Sequence, residues 1–529
     1  MESATVTRVL SPALLALALL LGAAAAPAAD GPTYANPIYG GQDPYVLLHD
    51  GVYYIAASAP GDSAIVVFKS DKLTDPGVSR TVYVPPATGP YSKQLWAPEI
   101  HRIDGQWYIY TCADDGDNAN HRLIVLKADT DDPLGSYSMA AELQTPGWAI
   151  DESVFRAADG KLYCVWSGWP VDTVPDSTQH LFISRMASPT ELAGPAVDIS
   201  GKMHEWETRG RPDGLNEGPQ PLLRDGRVFI VYACSGSWTA DYALGVMECT
   251  DGDLLNPDSW VKQPKPAFSR TDHVYGPGHG CLTKSPDGAE DWLVYHSSID
   301  PEGSWNRSVS IQRFTWTADG APNFGRPAPW GTVLPAPSGE PANKLISEPG
   351  GELAETFDNL DRWEPICFFR RTSVRVRDGA LQVRGTLDPR YGDKLVLRDR
   401  DYADFEAEVE VNRRRGDGAA GLLFRISNAA VGVNRYHGYT AQWTADNRVQ
   451  LVRSNGDELT VLAEADLPGR PNRPLHLRVV AQGDRLSVYL DGARKPLIEA
   501  QDETYFTGAV GLLSGGVNST FDNFQVRPL

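Results

Sequence analysis

The sequence predicts an all-β protein, a five-bladed β-propeller followed by an antiparallel β-sandwich of the jelly-roll type. Five segments repeat one layout: a strand, an Asp-Gly turn, and a second strand rich in aromatic and β-branched residues. They read DPYVLLHDGVYYIAAS, WAPEIHRIDGQWYIYT, DESVFRAADGKLYCVWSG, EGPQPLLRDGRVFIVYACSG and HGCLTKSPDGAEDWLVYHSS. Extended helical periodicity is absent. After a proline-rich stretch the pattern changes to clean apolar/polar alternation. With 529 residues the chain exceeds a single ordinary core, so at least two domains are expected.

The elements follow in chain order. Residues 1–29 read as a secretory signal. Arg8 precedes a short apolar run over 13–26, and small residues follow at Ala26-Pro27-Ala28-Ala29. That run is too short to cross a bilayer as a helix, so a secreted, extracellular protein with no membrane association after cleavage is expected. Export permits disulfides, but 6 Cys in a chain of this length make no disulfide scaffold. Cys112, Cys164 and Cys234 sit in apolar strand-like runs and read as buried thiols, and Cys234 with Cys249 is the one candidate pair.

Residues 30–326 form the repeat region. Asp-Gly between two β-runs marks a hairpin, because both residues tolerate the positive φ of a type I′ turn. The turn glycines are Gly51, Gly105, Gly160, Gly226 and Gly288, spaced by 54, 55, 66 and 62 residues. Each unit has room for about four strands of ~5–6 residues with their loops. Such units pack radially as propeller blades.

Register along the repeat then picks out a site. Nine residues before the last four turn glycines stand Trp96, Asp151, Glu217 and His279, and eight before the first stands Asp43. If the first strand of each hairpin lines the axis, these five side chains converge on one mouth of the central channel. Taken singly, each has an ordinary structural explanation: acidic residues open strands and turns, and Gly278-His279-Gly280 reads as a loop. Their coincidence at one register of a repeat favours a site. Three neighbouring carboxylates cannot all ionise cheaply, so at least one holds its proton. A raised acid beside an ionised carboxylate is the pair that glycosidic cleavage uses. Trp96 offers a flat apolar face to a sugar ring.

Composition narrows the partners. A net charge of −20 and a pI near 4.9 disfavour nucleic acid and anionic membranes. Phosphate cradles, a GxSxG elbow, an HExxH helix and CxxC pairs are missing from the sequence. A neutral oligo- or polysaccharide is the expected substrate, no organic cofactor is expected, and a monomer is expected.

Residues 34–330 resemble glycoside hydrolase family 43. The resemblance rests on Asn36-Pro37-Ile38 through Gly41-Gln42-Asp43-Pro44-Tyr45, and on Trp96-Ala97-Pro98-Glu99-Ile100-His101 and Ala149-Ile150-Asp151. It continues through Asn216-Glu217-Gly218-Pro219 and Gly276-Pro277-Gly278-His279. Invertase-like propellers are less similar, because they carry Glu-Cys where this chain has Glu217-Gly218. The resemblance implies an inverting hydrolase with Asp43 as general base and Glu217 as general acid. Asp151 would orient that acid and tune its pKa. It further implies that His279 helps hold Ca²⁺ or Na⁺ in the channel, largely through water, and that Arg313 is the active-site arginine. Inversion calls for carboxyls about 6.5–9.5 Å apart, with room for a water. The runs at Trp96 and at Trp166-Ser167-Gly168-Trp169 are most similar to exo-acting α-L-arabinofuranosidases of arabinan or arabinoxylan. β-Xylosidase and endo-arabinanase are the alternatives, and a non-catalytic glycan-binding propeller is the remote one.

Residues 327–350 hold six prolines from Pro327 to Pro349 and read as a semi-rigid linker. Over 351–529, alternation at 405–411 and 475–480, with short strands at 421–425, 448–452, 485–490 and 509–513, predicts the sandwich. Glu355-Thr356-Phe357-Asp358 and Phe521-Asp522-Asn523-Phe524 resemble laminin-G/concanavalin-like jelly rolls attached to glycan-degrading enzymes. This accessory domain has two readings. Either it binds carbohydrate, with Tyr436, Tyr439 and Trp443 as ring platforms, or it is a rigid appendage with those aromatics in its core.

Overall fold

The structure, a computed structural model, describes residues 32–529 except 60, 331, 341–349, 368–373, 385–391, 398–399, 428, 430–431, 457 and 468–472. Residues 1–29, where a signal is expected, and part of the proline-rich linker lie outside the described residues. Among the described residues there is no α-helix, only three short 3₁₀ turns, and no helix is long and apolar enough to cross a membrane.

Five sheets of four or five strands form the propeller. Blade 1 runs Tyr45–His49, Val52–Ser58, Ile65–Ser70 and Val78–Tyr83. Blade 2 runs Lys93–Ile103, Gln106–Asp114, Arg122–Ala128 and Tyr137–Glu142. Blade 3 is built on Ala149–Arg156, Leu162–Gly168 and His180–Ser188, with Val197–Asp198 outside them. Blade 4 uses Asn216–Arg224, Arg227–Cys234, Ala243–Cys249 and Trp260–Lys262, and blade 5 uses Tyr275–Lys284, Asp291–Ser298 and Arg307–Trp316. The first strand of each blade touches the first strand of the next in a closed cycle, so these strands line the axis.

The second strands explain why the repeats read as unbroken apolar runs. Each is buried on both faces, with alternate residues serving two different blade interfaces. Tyr53 and Ile55 pack with Trp292 and Val294 of blade 5, while Tyr54 and Ala56 pack with Trp107 and Ile109 of blade 2. Tyr108 and Tyr110 meet Cys164 and Trp166, Tyr163 and Val165 meet Ile230 and Tyr232, and Phe229 and Val231 meet Leu293 and Tyr295. Five interfaces thus carry five apolar clusters.

The ring is closed by residues far apart in sequence. Tyr39–Gly40 adds the outermost strand to blade 5 by pairing with Arg307–Trp316, and Thr33–Ala35 pairs with Val333–Pro335. The Asn36 side chain donates to the Ile311 carbonyl at 2.8 Å and accepts its N–H at 2.9 Å. Described parts of the linker lie along the propeller. The Glu340 carboxylate accepts from Leu73 N–H (2.6 Å), Thr74 N–H (3.0 Å) and the Thr74 hydroxyl (2.7 Å).

The C-terminal domain is an antiparallel β-structure organised by two long strands, Phe405–Ser427 and Ala509–Pro528. One half of each strand pairs into a sheet with Gly392–Leu397 and His437–Trp443, and the other half pairs with Ala380–Val383 and Leu475–Gln482. The strands bend between the halves, where the register shifts around Gly416. A Cβ on Gly418 would stand 1.6 Å from the Gly515 carbonyl oxygen, so only glycine lets the backbones cross there. Phe405, Ala407, Val409 and Val411 point inward and the residues between them do not, as the alternation predicts.

One expectation is corrected here, and one open alternative is decided. Cys234 and Cys249 are both free and buried. Cys234 stands opposite Ala243 and Cys249 opposite Val228, at the two ends of one strand pair, beyond disulfide reach. Tyr436, Tyr439 and Trp443 are 1%, 0% and 6% exposed, and so belong to the apolar interior rather than to a sugar-facing platform. Tyr439 can be buried because its hydroxyl donates to Asp502 Oδ1 at 2.7 Å.

Candidate active site

The channel mouth is built by interruptions in the first strands. Ladder pairing slips between Trp96 and Glu99, between Ile150 and Ser153, between Glu217 and Gln220, and between Gly278 and Cys281. At or beside each slip one residue adopts positive φ: Ala97 (42°), Asp151 (57°), Gly218 (53°) and His279 (42°). In blade 1, Asp43 takes φ 47° just before its strand begins. Such bulges turn side chains that would otherwise lie between blades toward the axis, and the strained backbone is held by the surrounding sheets. Gly218 also makes room, since a Cβ there would come within 3.0 Å of the His279 ring.

Asp43, Asp151, Glu217 and His279 are brought together. Asp43 Oδ1 lies 3.2 Å from His279 Nδ1, and 3.6 Å from Nη1 of the buried Arg307. The Asp43 backbone N–H donates to His296 Nδ1 at 3.0 Å, which fixes that residue's conformation. Asp151 Oδ2 accepts the Gly218 N–H at 3.1 Å, and Glu217 Oε1 accepts the Tyr242 hydroxyl at 2.7 Å.

The electrostatics split the three carboxyls. Burial alone would raise Asp43 and is the largest single influence, but His279, His296 and Arg307 together outweigh it, and its pKa falls well below the ordinary carboxylate range. Burial raises both Asp151 and Glu217. His279 opposes this in each, while for Asp151 the Glu217 charge adds to the rise. Burial pulls His279 down, yet the charges of Asp43, Asp151 and Glu217 leave it raised. His296 is driven by burial, then by Arg307, to about 3, so it is neutral. One carboxyl is therefore held ionised, while the other two are both shifted toward the protonated form.

Trp96 stands on the same rim. Its Nε1–H donates to Asp62 Oδ2 at 3.1 Å, and its ring stacks on His121 at 4.0 Å. Burial raises Asp62, and the nearby Asp43 charge adds to that rise.

Arg313 requires correction. It is exposed and pairs with Glu290 at 2.9 Å, opposite Trp292 in the strand ladder. Arg307 occupies the site instead, at the start of the same strand. Six residues of extended chain put the two about 20 Å apart. Tyr242, His296 and Arg307 are the site residues that counting from the turns did not find. They sit at the ends of second and third strands, which share the catalytic end with the start of the first. The strand register that places them there is the signal that could have found them.

Residues 34–322 match the sequence profile of Glycosyl hydrolases family 43, and residues 353–527 that of the 3-keto-alpha-glucoside-1,2-lyase-like domain. The chain is 36% identical over 341 residues to an extracellular exo-α-(1→5)-L-arabinofuranosidase of Streptomyces avermitilis, covering 60% of this chain and 70% of that protein. It is 34% identical over 333 residues to α-L-arabinofuranosidase 43 of Humicola insolens, covering 60% of this chain and 68% of that protein. Among solved structures, the α-L-arabinofuranosidase of Lactobacillus brevis superposes with a TM-score of 0.53 at 34% identity, covering 56% of this chain and 98% of that one.

Proposed function

The chain belongs to family 43 of the glycosyl hydrolases, and from that membership we propose an exo-acting α-L-arabinofuranosidase that cleaves arabinan- or arabinoxylan-type glycans with inversion. The observation that supports this best is the split among the carboxyls. Asp43, held ionised by His279 and Arg307, is suited to take a proton from the attacking water. Glu217, raised by burial and held by Tyr242, is suited to give its proton to the departing oxygen. Asp151 grips the Gly218 N–H next to Glu217, and its shared negative charge helps keep that proton in place. Trp96 supplies the apolar wall for the sugar being released.

An alkali or alkaline-earth cation in the channel belongs to the same reading. Among the described residues no group of three or more His, Cys, Asp and Glu is arranged to hold a metal. With His279 Nδ1 facing Asp43, its Nε2 is the protein donor left on that ring, which fits an ion whose remaining ligands are waters. Such an ion would add positive charge beside the carboxyls in place of the second proton on His279. Exhaustive chelation is expected to lower activity or melting temperature and added Ca²⁺ to restore it. Full rate with an unchanged pH profile after demetallation would leave His279 as a hydrogen-bonding residue only.

Secretion and the monomeric state complete the proposal; the Streptomyces avermitilis relative is itself named extracellular. The deciding experiment is sugar release. Arabinose is expected from an aryl α-L-arabinofuranoside and from linear arabinan, with single sugars as the early product. Release of xylose alone from a substrate panel would replace the arabinose assignment by the β-xylosidase alternative.

A further inference from the structure

The catalytic face has an uneven rim. The start of each first strand pairs with the end of the second, and that end pairs with the start of the third: Asn216 faces Cys234, which faces Ala243, and Tyr275 faces Ser298, which faces Arg307. Every loop joining a second strand to a third therefore surrounds the site mouth. In blade 1 this loop carries Asp62, and in blade 2 it carries His121. In blades 4 and 5 it carries a large apolar ring in solvent, with Trp238 36% and Trp305 62% exposed.

These two indoles form one unit joined to the reacting groups. Their centroids are 6.3 Å apart at 38°. The Arg307 guanidinium lies 4.6 Å from the Trp305 ring, donates to the Ser237 carbonyl at 2.7 Å, and reaches Asp43. Arg211 lies 5.6 Å from the Trp238 ring and donates to Asp176 Oδ1 at 2.8 Å. Tyr242, which donates to Glu217, closes the loop that holds Trp238. The pair is thus joined to both reacting carboxyls at the rim, to Asp43 through Arg307 and to Glu217 through the loop that Tyr242 closes.

We propose that Trp238 and Trp305 form the platform for the glycan on the leaving-group side of the cleaved bond, that is, for the second and later sugars of a neutral chain. This rests on the arabinofuranosidase reading above. An exposed aromatic pair is costly in water unless something covers it. Continuity with the site through Arg307 and Tyr242 makes the rest of the substrate its occupant. Indole rings give large, rigid area for the C–H face of a sugar, and a neutral chain suits a platform whose two flanking arginines are already paired.

The test compares kcat/KM on α-1,5-linked arabino-oligosaccharides of two to five residues with kcat/KM on an aryl α-L-arabinofuranoside, which has no second sugar. In the unaltered enzyme the ratio is expected to rise with chain length. Trp238→Ala should lower that ratio by about tenfold, mainly through KM, and Trp238→Phe should keep most of it. Trp305→Ala should act in the same direction but also disturbs Arg307, so Trp238→Ala decides. An unchanged ratio in both alanine variants overturns the platform. Loss of a dimer in sedimentation, with an unchanged ratio, would instead assign the pair to contact between copies of this chain. If the unaltered enzyme leaves the aryl arabinofuranoside intact, the arabinofuranosidase reading fails, and the measurement separates the two failures.

Discussion

Glu217→Gln is expected to slow hydrolysis of a natural glycan by about 10²–10⁴-fold while slowing an activated aryl glycoside far less. A sugar alkoxide is a poor leaving group and needs a proton as the bond breaks, whereas an activated phenolate leaves without one. Glutamine keeps an oxygen for the Tyr242 hydroxyl, so the change removes the proton with little disturbance of position. The pH profile gives a second check. Glu217 has a raised pKa and acts protonated, so kcat/KM of the unaltered enzyme should fall as pH rises through the titration it shares with Asp151. Asp43 is held low, so the acid limb lies well to the acid side. On an activated substrate the Gln variant should lose the Glu217 contribution to the alkaline limb. Equal losses on both substrates, with that limb intact, would take the acid role away from Glu217.

Asp43→Asn is expected to cost a similar ~10²–10⁴-fold, but equally for good and poor leaving groups, because water activation is common to both. Asparagine removes the anion that faces His279 and Arg307. Proton NMR of the first product formed by the unaltered enzyme should show the inverted anomer. Added azide should give the Asn variant no product of retained configuration, because no covalent intermediate has formed. A first product of unchanged configuration would defeat the inverting assignment and recast Asp43 as a nucleophile.

The propeller was legible because its turns are marked. Each Asp-Gly pair sets a register, so counting back from it reaches equivalent heights in all five blades, and Asp43, Trp96, Asp151, Glu217 and His279 do share the channel mouth. The third strands carry no such mark. They follow loops of unequal length, so a motif match on Arg313 landed six residues beyond Arg307, at the far end of the same strand. Tyr242 and His296 look like core residues in sequence and are buried like them. Their roles come from what they face, Glu217 within the same blade for Tyr242 and Asp43 across a blade boundary for His296. The aromatics at 436, 439 and 443 left two readings open for the opposite reason. Polar-tipped rings on strands look like binding surface, yet Asp502 and Thr440 satisfy the two tyrosine hydroxyls inside the fold.

The closure of blade 5 by Tyr39–Gly40 bears on how the chain reaches this form. The strand that completes the last blade precedes blade 1 in sequence, and Asn36 meets Ile311 across 275 positions. Hairpins within a blade can assemble locally, but sealing the ring must wait for a contact of very high sequence separation. The chain entropy lost in that step is repaid only when the contact is made. Until then both flanks of the opening, Val46 and Tyr53 on one side and Trp292 and Val294 on the other, present bare apolar surface. The seam is thus where closure of the ring is expected to be slowest and self-association most favoured.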